Sequence, residues 1–423
     1  NRIERIAFDR AKADGSQSAL IAFSRDYPDS RYLKEADALV DQELWEKAQA
    51  INTKEGYERY TTERPQGRFS QDSKVKIDAI LWAEAERQSS VRGYQNYLVN
   101  SVTQAQQSKA KTEIINRLSK PAWEIPVARS NAVYSKSKDE LYVIAGKLGS
   151  GRLVALDPKT GSVKRVLNRS HSNVRTGRVA NLILSPNDQV LVLVGAGMQS
   201  AADAVAFDTN TGKEVWSHKN GITPRAIITA NDQYFVTYSS GEYYGKTVIN
   251  VFDLRTGNFL HKIENKSGKI YLGAAVDNGQ KFFASFSNGS YGIFDLYDGK
   301  EVFKFNNKYR NRQQSYKRIS LSTDQKLVYL TSSSLKNVRI DVEKGSLLPE
   351  PKRIPKIQSE ITGIKKRNIS LFSFADPKTG ITFDIPVKKQ AITGLQLYET
   401  PKVLIIRGNS KQGILAYDFS EVY

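Results

Sequence analysis

The chain has 423 residues, no cysteine, three histidines and a formal charge of +19. The lack of cysteine excludes disulfides, thiol catalysis and Cys-ligated metals, and three histidines argue against a His-rich metal site. No apolar run approaches the ~18 residues of a membrane helix. The length suits two or three domains, and the charge is uneven, because residues 1–120 carry a net +2 and residues 121–423 a net +17.

The first part of the chain repeats with a period of 37 residues. Within each unit, large apolar residues recur at helical spacing, and a Pro-containing segment such as "YPDSRY" (27–32) separates two helices. The equivalent residues are Phe8, Trp45 and Trp82; Ala11, Ala48 and Ala85; Leu20, Tyr57 and Tyr94; Phe23, Tyr60 and Tyr97; and Pro28 and Pro65. One hairpin cannot bury such a stripe alone, so the pattern predicts an α-solenoid.

These hairpins resemble tetratricopeptide-type repeats, with a "Y-x-x-Y…P-x-G…W-x-x-A" pattern. We assign 1–118 to the helical-hairpin domain and 119–121 to a short linker. The first repeat is incomplete, because Phe8 already occupies the Trp position of a second helix. We therefore expect a preceding helix, removed or in another domain. The aromatic stripes are interpreted as core, and a peptide-binding groove between hairpins is the functional alternative.

From residue 122 onward, short β-rich runs carry a recurring motif of two apolar residues, an Asp and a turn usually closed by Gly. Its Asp residues have a mean spacing of 43.5 residues, the length of a four-stranded propeller blade. They are Asp157, Asp208, Asp253, Asp295, Asp341, Asp384 and Asp418. A polar turn, including "KKRN" (365–368), precedes each Asp by about 17 to 21 residues. The spacing predicts strands A to D in each of seven blades.

The seven Asp residues have a structural interpretation that needs no cofactor. A carboxylate at this place accepts hydrogen bonds from amides two residues on, and Gly takes the left-handed conformation. Too few residues follow Asp418 to complete its blade, so Trp123–Val127 is predicted to pair with the last blade and close the ring. The predicted fold class is α+β multidomain: an N-terminal α-helical repeat, then an all-β seven-bladed propeller over 122–423.

The segment "VAFDTNTGKEVWSH" (205–218) has the form A-x-D-x-x-T-G-K-x-x-W. It resembles the repeat of quinoprotein dehydrogenases, and the blade length also resembles WD repeats. The quinoprotein enzymes use eight blades, an adjacent cysteine pair and a calcium site, so the resemblance implies the propeller fold without the quinone. Only Trp216 stands at the repeat's Trp position, and Leu260 or Phe303 occupies the corresponding place in other blades.

The positive charge concentrates in the D-to-A loops, which lie on one face of a propeller. These loops contain seventeen Lys and Arg but two Glu, whereas the A-B and C-D turns on the opposite face are net acidic. A solvated basic loop explains any single case, but a basic face across all sampled loops indicates an anion-seeking surface. The candidate binding residues are Lys308, Tyr309, Arg310, Arg312, Tyr316, Lys317, Arg318, Lys352, Arg353, Lys356, Arg169, Arg175 and Arg178.

No common catalytic signature is present. The sequence lacks G-x-S-x-G, H-E-x-x-H, a P-loop and a G-x-G-x-x-G that opens a helix. His218 and His261 fall in predicted D strands, and His171 lies in a basic loop. We therefore expect no enzyme activity, no catalytic residues, no metal and no cofactor.

The main hypothesis is a protein–protein interaction scaffold in a bacterial multi-subunit complex, in the periplasm or cell envelope, with a partner that is acidic at the contact. A cytoplasmic location is the alternative. The second hypothesis is binding of an anionic polymer, either nucleic acid or an envelope glycan. A quinone-dependent oxidoreductase is the remote third.

Overall fold

The computed structural model describes residues 2–126, 128, 130–146, 152–168, 180–196, 202–222, 225–238, 247–265, 268–305, 318–331, 337–349, 364–368, 370–387, 392, 394–398, 402–407 and 413–422. Contacts within the chain define two compact units. One comprises Asn1–Lys120, Phe374–Ile385 and Glu421–Tyr423, and the other Pro121–Ser373 and Pro386–Ser420. The helices lie in the first unit, and most of the strands lie in the second.

Seven α-helices precede the first strand in the described part of the chain. They are α1 (Arg2–Asp14), α2 (Gln17–Asp26), α3 (Leu33–Ile51), α4 (Lys54–Glu63), α5 (Ser70–Gln88), α6 (Val91–Asn100) and α7 (Gln107–Leu118). The long helices α3 and α5 alternate with the short helices α2, α4 and α6. The sequence-based prediction of helices in this region is confirmed.

The helix boundaries repeat with the same 37-residue period as the aromatic residues. Ser16, Thr53 and Ser90 each accept a backbone N–H bond at 3.0–3.3 Å as N-caps. The residues just before them adopt positive φ: Gly15 at 70°, Asn52 at 48° and Ser89 at 49°. A left-handed residue ends one helix, and a residue with a side-chain hydroxyl caps the next. Two residues therefore join α1 to α2, α3 to α4 and α5 to α6.

The aromatic residues of the repeat meet in the core of the helical unit. The Trp45 ring stacks on Phe69 at 5.2 Å and lies edge-on to Tyr60 at 5.6 Å. Trp82 repeats this packing with Tyr97 at 5.2 Å. These rings are the predicted stripe, and they bury surface that one hairpin alone would leave in water.

Two buried carboxylates hold the loops that follow the aromatic helices. Tyr60 donates to Asp41 at 2.7 Å, and Tyr97 donates to Asp78 at 2.9 Å, so the pairs are 37 residues apart. Burial alone would raise the pKa of Asp78, but hydrogen bonds from Thr103, Ser101 and Tyr97 lower it to about 2. The anion is therefore part of the fold, and the repeat of apolar residues in the sequence gives no indication of it.

The described strands number twenty-seven. They are β1 (Trp123–Ile125), β2 (Val133–Ser135), β3 (Glu140–Ala145), β4 (Arg152–Leu156), β5 (Val163–Asn168), β6 (Ala180–Leu184), β7 (Val190–Ala196), β8 (Ala202–Asp208), β9 (Glu214–Ile222), β10 (Arg225–Ile228), β11 (Tyr234–Tyr238), β12 (Thr247–Asp253), β13 (Phe259–Asn265), β14 (Ile270–Val276), β15 (Lys281–Phe286), β16 (Tyr291–Asp295), β17 (Glu301–Phe305), β18 (Arg318–Leu321), β19 (Leu327–Thr331), β20 (Val338–Asp341), β21 (Ser346–Leu348), β22 (Ile364–Asn368), β23 (Leu371–Ala375), β24 (Thr382–Pro386), β25 (Gly394–Tyr398), β26 (Val403–Arg407) and β27 (Ile414–Asp418).

The strands form seven sheets, numbered here as blades 1 to 7 in chain order. Blades 1 to 5 each contain four consecutive strands, from β2–β5 to β18–β21, and we label these strands A to D. Among the described residues blade 6 has three strands, β22, β23 and β24. The seven antiparallel sheets form the predicted seven-bladed propeller, so the predicted fold class is confirmed.

Blade 7 combines strands from both ends of the propeller sequence. Its order is β1-β27-β26-β25, so β1 takes the place of strand D. Trp123 pairs with Ala416 and Ile125 pairs with Ile414. The strand that was expected at Trp123–Val127 therefore lies at 123–125 and pairs with the last strand, while Val127 lies outside the described residues.

The core of each blade lies in its two central strands. In blade 1, Leu141, Tyr142, Val143 and Ile144 are all fully buried, although successive side chains point to opposite faces. Both faces of a central strand are covered by the neighbouring blades. This is why these strands read as continuous apolar runs rather than as alternating ones.

Candidate functional site

Most of the candidate binding residues lie outside the described part of the chain. This group comprises Lys308, Tyr309, Arg310, Arg312, Tyr316, Lys317, Lys352, Arg353, Lys356, Arg169, Arg175 and Arg178. Arg318 is described: it begins β18, pairs with Thr331 and is exposed. The basic surface as a whole stays a prediction from sequence.

The turn carboxylates are engaged by their own turns. The Asp208 carboxylate accepts the N–H of Asn210 at 2.9 Å and of Thr211 at 2.7 Å. Hydrogen bonding, chiefly from the Thr211 N–H, lowers the pKa of Asp208. Equivalent amide bonds reach Asp157, Asp253, Asp295, Asp341 and Asp418. These six carboxylates stabilise turns.

The prediction for blade 6 is wrong. Asp384 lies inside β24, and the predicted polar turn 365–368 lies inside β22. Asp376 forms the turn instead: its N–H donates to Ile381 and its carbonyl accepts from Gly380, both at 2.9 Å. The segment "DPKTG" occurs at both 157–161 and 376–380, and this identity was the missed signal. The mean spacing favoured Asp384 because it assumed blades of equal length.

In several blades a side chain from the D strand packs on the C-D turn of the next blade. We call these side chains joint residues. Trp216 of blade 2 donates from Nε1 to the Leu254 carbonyl at 2.8 Å, and a Cβ at Gly257 would come within 2.5 Å of its ring. Trp123 likewise donates to the Pro158 carbonyl at 2.9 Å, next to Gly161. Glycine is required because the indole lies against the turn backbone.

His261 and Phe303 are the joint residues of blades 3 and 4. His261 lies against Gly299, and Phe303 lies against Gly345. Leu260 was therefore the wrong equivalent of Trp216, whereas Phe303 was the right one. The joint residue stands eight positions after the turn Asp in blades 2, 3 and 4, and counting that offset identifies His261 from sequence.

The joint between blades 3 and 4 differs from the Trp joints in its hydrogen bonding. His261 Nε2 is buried and has no hydrogen-bond partner among the described residues. Burial lowers the pKa of His261, although the nearby carboxylates of Asp298 and Asp295 act in the opposite direction. A histidine thus occupies a position where two other blades use an indole N–H donor.

Blade 1 joins blade 2 through a polar side chain. Arg165 contacts Glu140 at 2.7 Å, and it also donates to the carbonyls of Asn210, at 2.8 Å, and Thr209. Tyr142 donates to Glu140 at 2.8 Å. Burial, followed by the Glu140 hydrogen bond, raises the pKa of Tyr142. This cluster is not evident from the sequence, because its joint residue is an arginine rather than an aromatic residue.

Apolar side chains remain exposed at the start of several D strands. They are Val163 in blade 1, Val215 in blade 2, Phe259 and Leu260 in blade 3, Val302 in blade 4 and Leu347 in blade 5, with exposures of 40–58%. Tyr297, in the C-D turn of blade 4, is 83% exposed, the largest value among the exposed large hydrophobic residues. The D-strand residues all stand at the first or second position of their strand, and this recurrence indicates a surface feature of the propeller rather than scattered exposure.

The described residues offer no metal centre, since no group of three or more His, Cys, Asp or Glu is arranged to hold an ion. None of the described helices is long and apolar enough to cross a membrane. The groups described above are turn carboxylates, joint side chains and exposed apolar side chains.

Residues 116–263, about a third of the chain, match a family model described as the outer membrane protein assembly factor BamB. No curated protein matches the chain significantly. A solved structure titled "Crystal Structure of Mitotic Checkpoint Complex" aligns with a TM-score of 0.43 and 12% identity, covering 71% of this chain and 92% of that chain. The chain therefore combines helical hairpins with a propeller that is similar to the quinoprotein type over 116–263.

Proposed function

We propose that the chain is a non-enzymatic protein-interaction scaffold in a bacterial multi-subunit complex. One observation carries the proposal: six turn carboxylates and the joint side chains hold the propeller together, while apolar side chains stay exposed at the start of the D strands in five blades. Recurring exposed apolar groups on a rigid platform suit protein partners.

The envelope location rests on the family match. The matching family is described as an outer membrane protein assembly factor. By this likeness we propose a periplasmic or envelope location and a partner within an envelope assembly. The likeness covers about a third of the chain, so the proposal extends no further than the class of complex.

The experiment that tests the scaffold is affinity purification of the tagged chain from its source cells, with nuclease treatment and a high-salt wash. A scaffold retains a protein partner in fixed stoichiometry through size-exclusion chromatography. Elution of the chain alone, across independent preparations at low and high salt, would contradict the proposal.

The second candidate, binding of an anionic polymer, is favoured by the seventeen cations in the D-to-A loops. Salt titrations with an oligonucleotide and an acidic polysaccharide test it, because polymer binding weakens steeply with salt. The variant replaces Arg310, Arg312, Lys317 and Arg318 with Gln and should lose binding. The control removes four exposed cations from the helical unit, Arg10, Lys34, Lys74 and Lys76, and should keep it. Equal binding by both variants would refute this function.

A further inference from the structure

The A strands of blades 1 to 5 form a continuous wall. Each of them contacts the A strand of the next blade, so β2, β6, β10, β14 and β18 follow one another in this order. In a propeller the strands that meet in this way surround the central channel. Each A strand begins at the face of the D-to-A loops, so this end of the channel opens on the face that the sequence predicts to be basic.

Equivalent positions in these strands are found by counting back from the A-B turn. In blades 2, 3 and 5 the first turn residue donates its N–H to the carbonyl five residues on, at 2.8–3.0 Å. Four residues before it lie Asn181, Arg225 and Arg318, which are all exposed. We call these three residues the channel ring. Arg225 is also held against blade 4, because its Nη1 donates to the Tyr271 carbonyl at 2.7 Å. The ring therefore lies at one level of the channel wall, from blade 2 to blade 5.

The described part of the channel wall is positively charged. The A strands of blades 1 to 5 contain two charged residues, Arg225 and Arg318, and no acid. The last two residues of each B strand, which lie at the same end of these blades, are uncharged. Farther from the channel, the first two residues of the C strands and the last two of the D strands contribute two acids and three cations. Among the described residues, the wall itself therefore has no carboxylate that offsets its arginines.

Below the ring the channel wall becomes apolar. Ile183 follows Asn181 by two residues, and Ile227 follows Arg225 by two residues. Alternate residues of a strand share one face of the sheet, so each isoleucine lies on the same side as its ring residue. Both isoleucines are half-buried. A chain that enters the channel from this face thus meets polar and cationic groups first and apolar groups below them.

We propose that the channel ring binds an acidic, extended segment of a partner protein, with Asp or Glu at the ring and an apolar side chain beside Ile183 or Ile227. The inference rests on the scaffold function proposed above. An arginine binds a carboxylate through paired, charge-assisted hydrogen bonds, and an asparagine amide donates a further one. The isoleucines favour a peptide over a phosphate polymer, because apolar side chains of a peptide gain from burial there.

The test uses a labelled Ser/Gly peptide that carries alternating Glu and Leu, measured by fluorescence anisotropy on the full chain. The net charge of the chain attracts any acidic peptide, so matched variants decide the site. Asn181→Glu adds a carboxylate to the ring and should weaken binding by about ten-fold. Its control is Asn181→Gln, which keeps an uncharged amide and should bind like the wild type. Arg225→Gln removes a ring cation and should also weaken binding. Its control, Arg255→Gln, removes an exposed cation from the C-D turn of the same blade.

Failure of the wild type to bind the Glu–Leu peptide, or equal binding by Asn181→Glu and Asn181→Gln, overturns the proposal. A labelled single-stranded oligonucleotide is the second probe. If the oligonucleotide binds, the peptide does not, and Asn181→Glu loses the oligonucleotide, the ring binds nucleic acid and the proposed occupant is wrong. If a protein partner co-purifies and remains bound to Asn181→Glu, the scaffold stands and the ring assignment fails. If no partner co-purifies but the peptide distinguishes the paired variants as expected, the ring assignment stands and the scaffold fails.

Discussion

Trp216 and His261 occupy equivalent positions in successive blades but make different joints. Trp216 is 7% exposed, fills the space above Gly257 and donates its indole N–H to the Leu254 carbonyl. His261 lies above Gly299, and its buried Nε2 has no partner among the described residues. The same backbone geometry thus supports one satisfied joint and one weaker joint.

The largest expected effect comes from removing the Trp216 side chain, whose N–H is hydrogen-bonded in its joint. Trp216→Ala should lower the free energy of unfolding by about 3–5 kcal/mol, because it removes a large buried ring and leaves a cavity. His261→Ala should lower it by less than about half as much, since the ring is smaller and its buried Nε2 has no hydrogen-bond partner among the described residues. Urea unfolding followed by far-UV circular dichroism measures both. Equal losses would show that the two joints are energetically alike.

The polar joint between blades 1 and 2 should rank next. Arg165→Ala removes hydrogen bonds to Glu140 and to two carbonyls, and it should lower the free energy of unfolding by about 2–3 kcal/mol. Arg165→Lys keeps the charge, but a lysine cannot bond Glu140 and the two carbonyls at the same time. It should therefore recover only part of the lost free energy of unfolding. Complete recovery in the same urea experiment would mean that charge alone makes this joint.

Converting the weak joint into a satisfied one should stabilise the propeller. In His261→Trp the indole N–H can donate to the Leu296 carbonyl, the equivalent of Leu254, with a gain of about 1 kcal/mol. The control is Trp216→His, which should create the weak joint and lose stability. A destabilised His261→Trp would show that the space above Gly299 cannot hold an indole.

His261 also predicts a pH dependence. Its pKa in the folded chain lies below the ordinary 6.5, so the unfolded chain takes up a proton first as the pH falls. The free energy of unfolding should therefore decrease as the pH drops through 6.5, and the decrease should be smaller in His261→Trp. Thermal melts on either side of this pH measure the difference. An identical pH dependence in both proteins would remove His261 as the cause.

The smallest expected effect concerns Tyr297. Because the side chain is 83% exposed, Tyr297→Ser should change the free energy of unfolding by no more than about 0.5 kcal/mol. The same urea experiment checks this value. A loss of several kcal/mol would make Tyr297 a structural residue.

The sequence predicted the fold well where a local physical rule repeats. The aromatic stripe and the Asp–Gly turn each appear at fixed spacing, so the helical hairpins and the propeller could be predicted from periodicity. Blade 6 failed because Asp384 satisfied the average spacing, although "DPKTG" at 376–380 has the turn chemistry. Local chemistry was the better guide there, since blade lengths vary with their loops.

The joints were harder to predict than the turns. A joint residue contacts a turn about forty positions away, so its partner cannot be read from neighbouring residues. Trp216 could be recognised from the sequence because tryptophan is rare and is part of the repeat motif. Arg165 and His261 could be recognised as joint residues only from the three-dimensional register of the blades. The exposure of Tyr297 could not be predicted at all, because a tyrosine in an apolar-rich motif reads equally well as core.

Native mass spectrometry of the complex purified from source cells tests the central claim most directly. We predict a mass equal to the chain plus a protein subunit, with no nucleic acid and no quinone bound. A chain that carries a stoichiometric quinone and turns over an electron acceptor, or one that carries only nucleic acid, would contradict it.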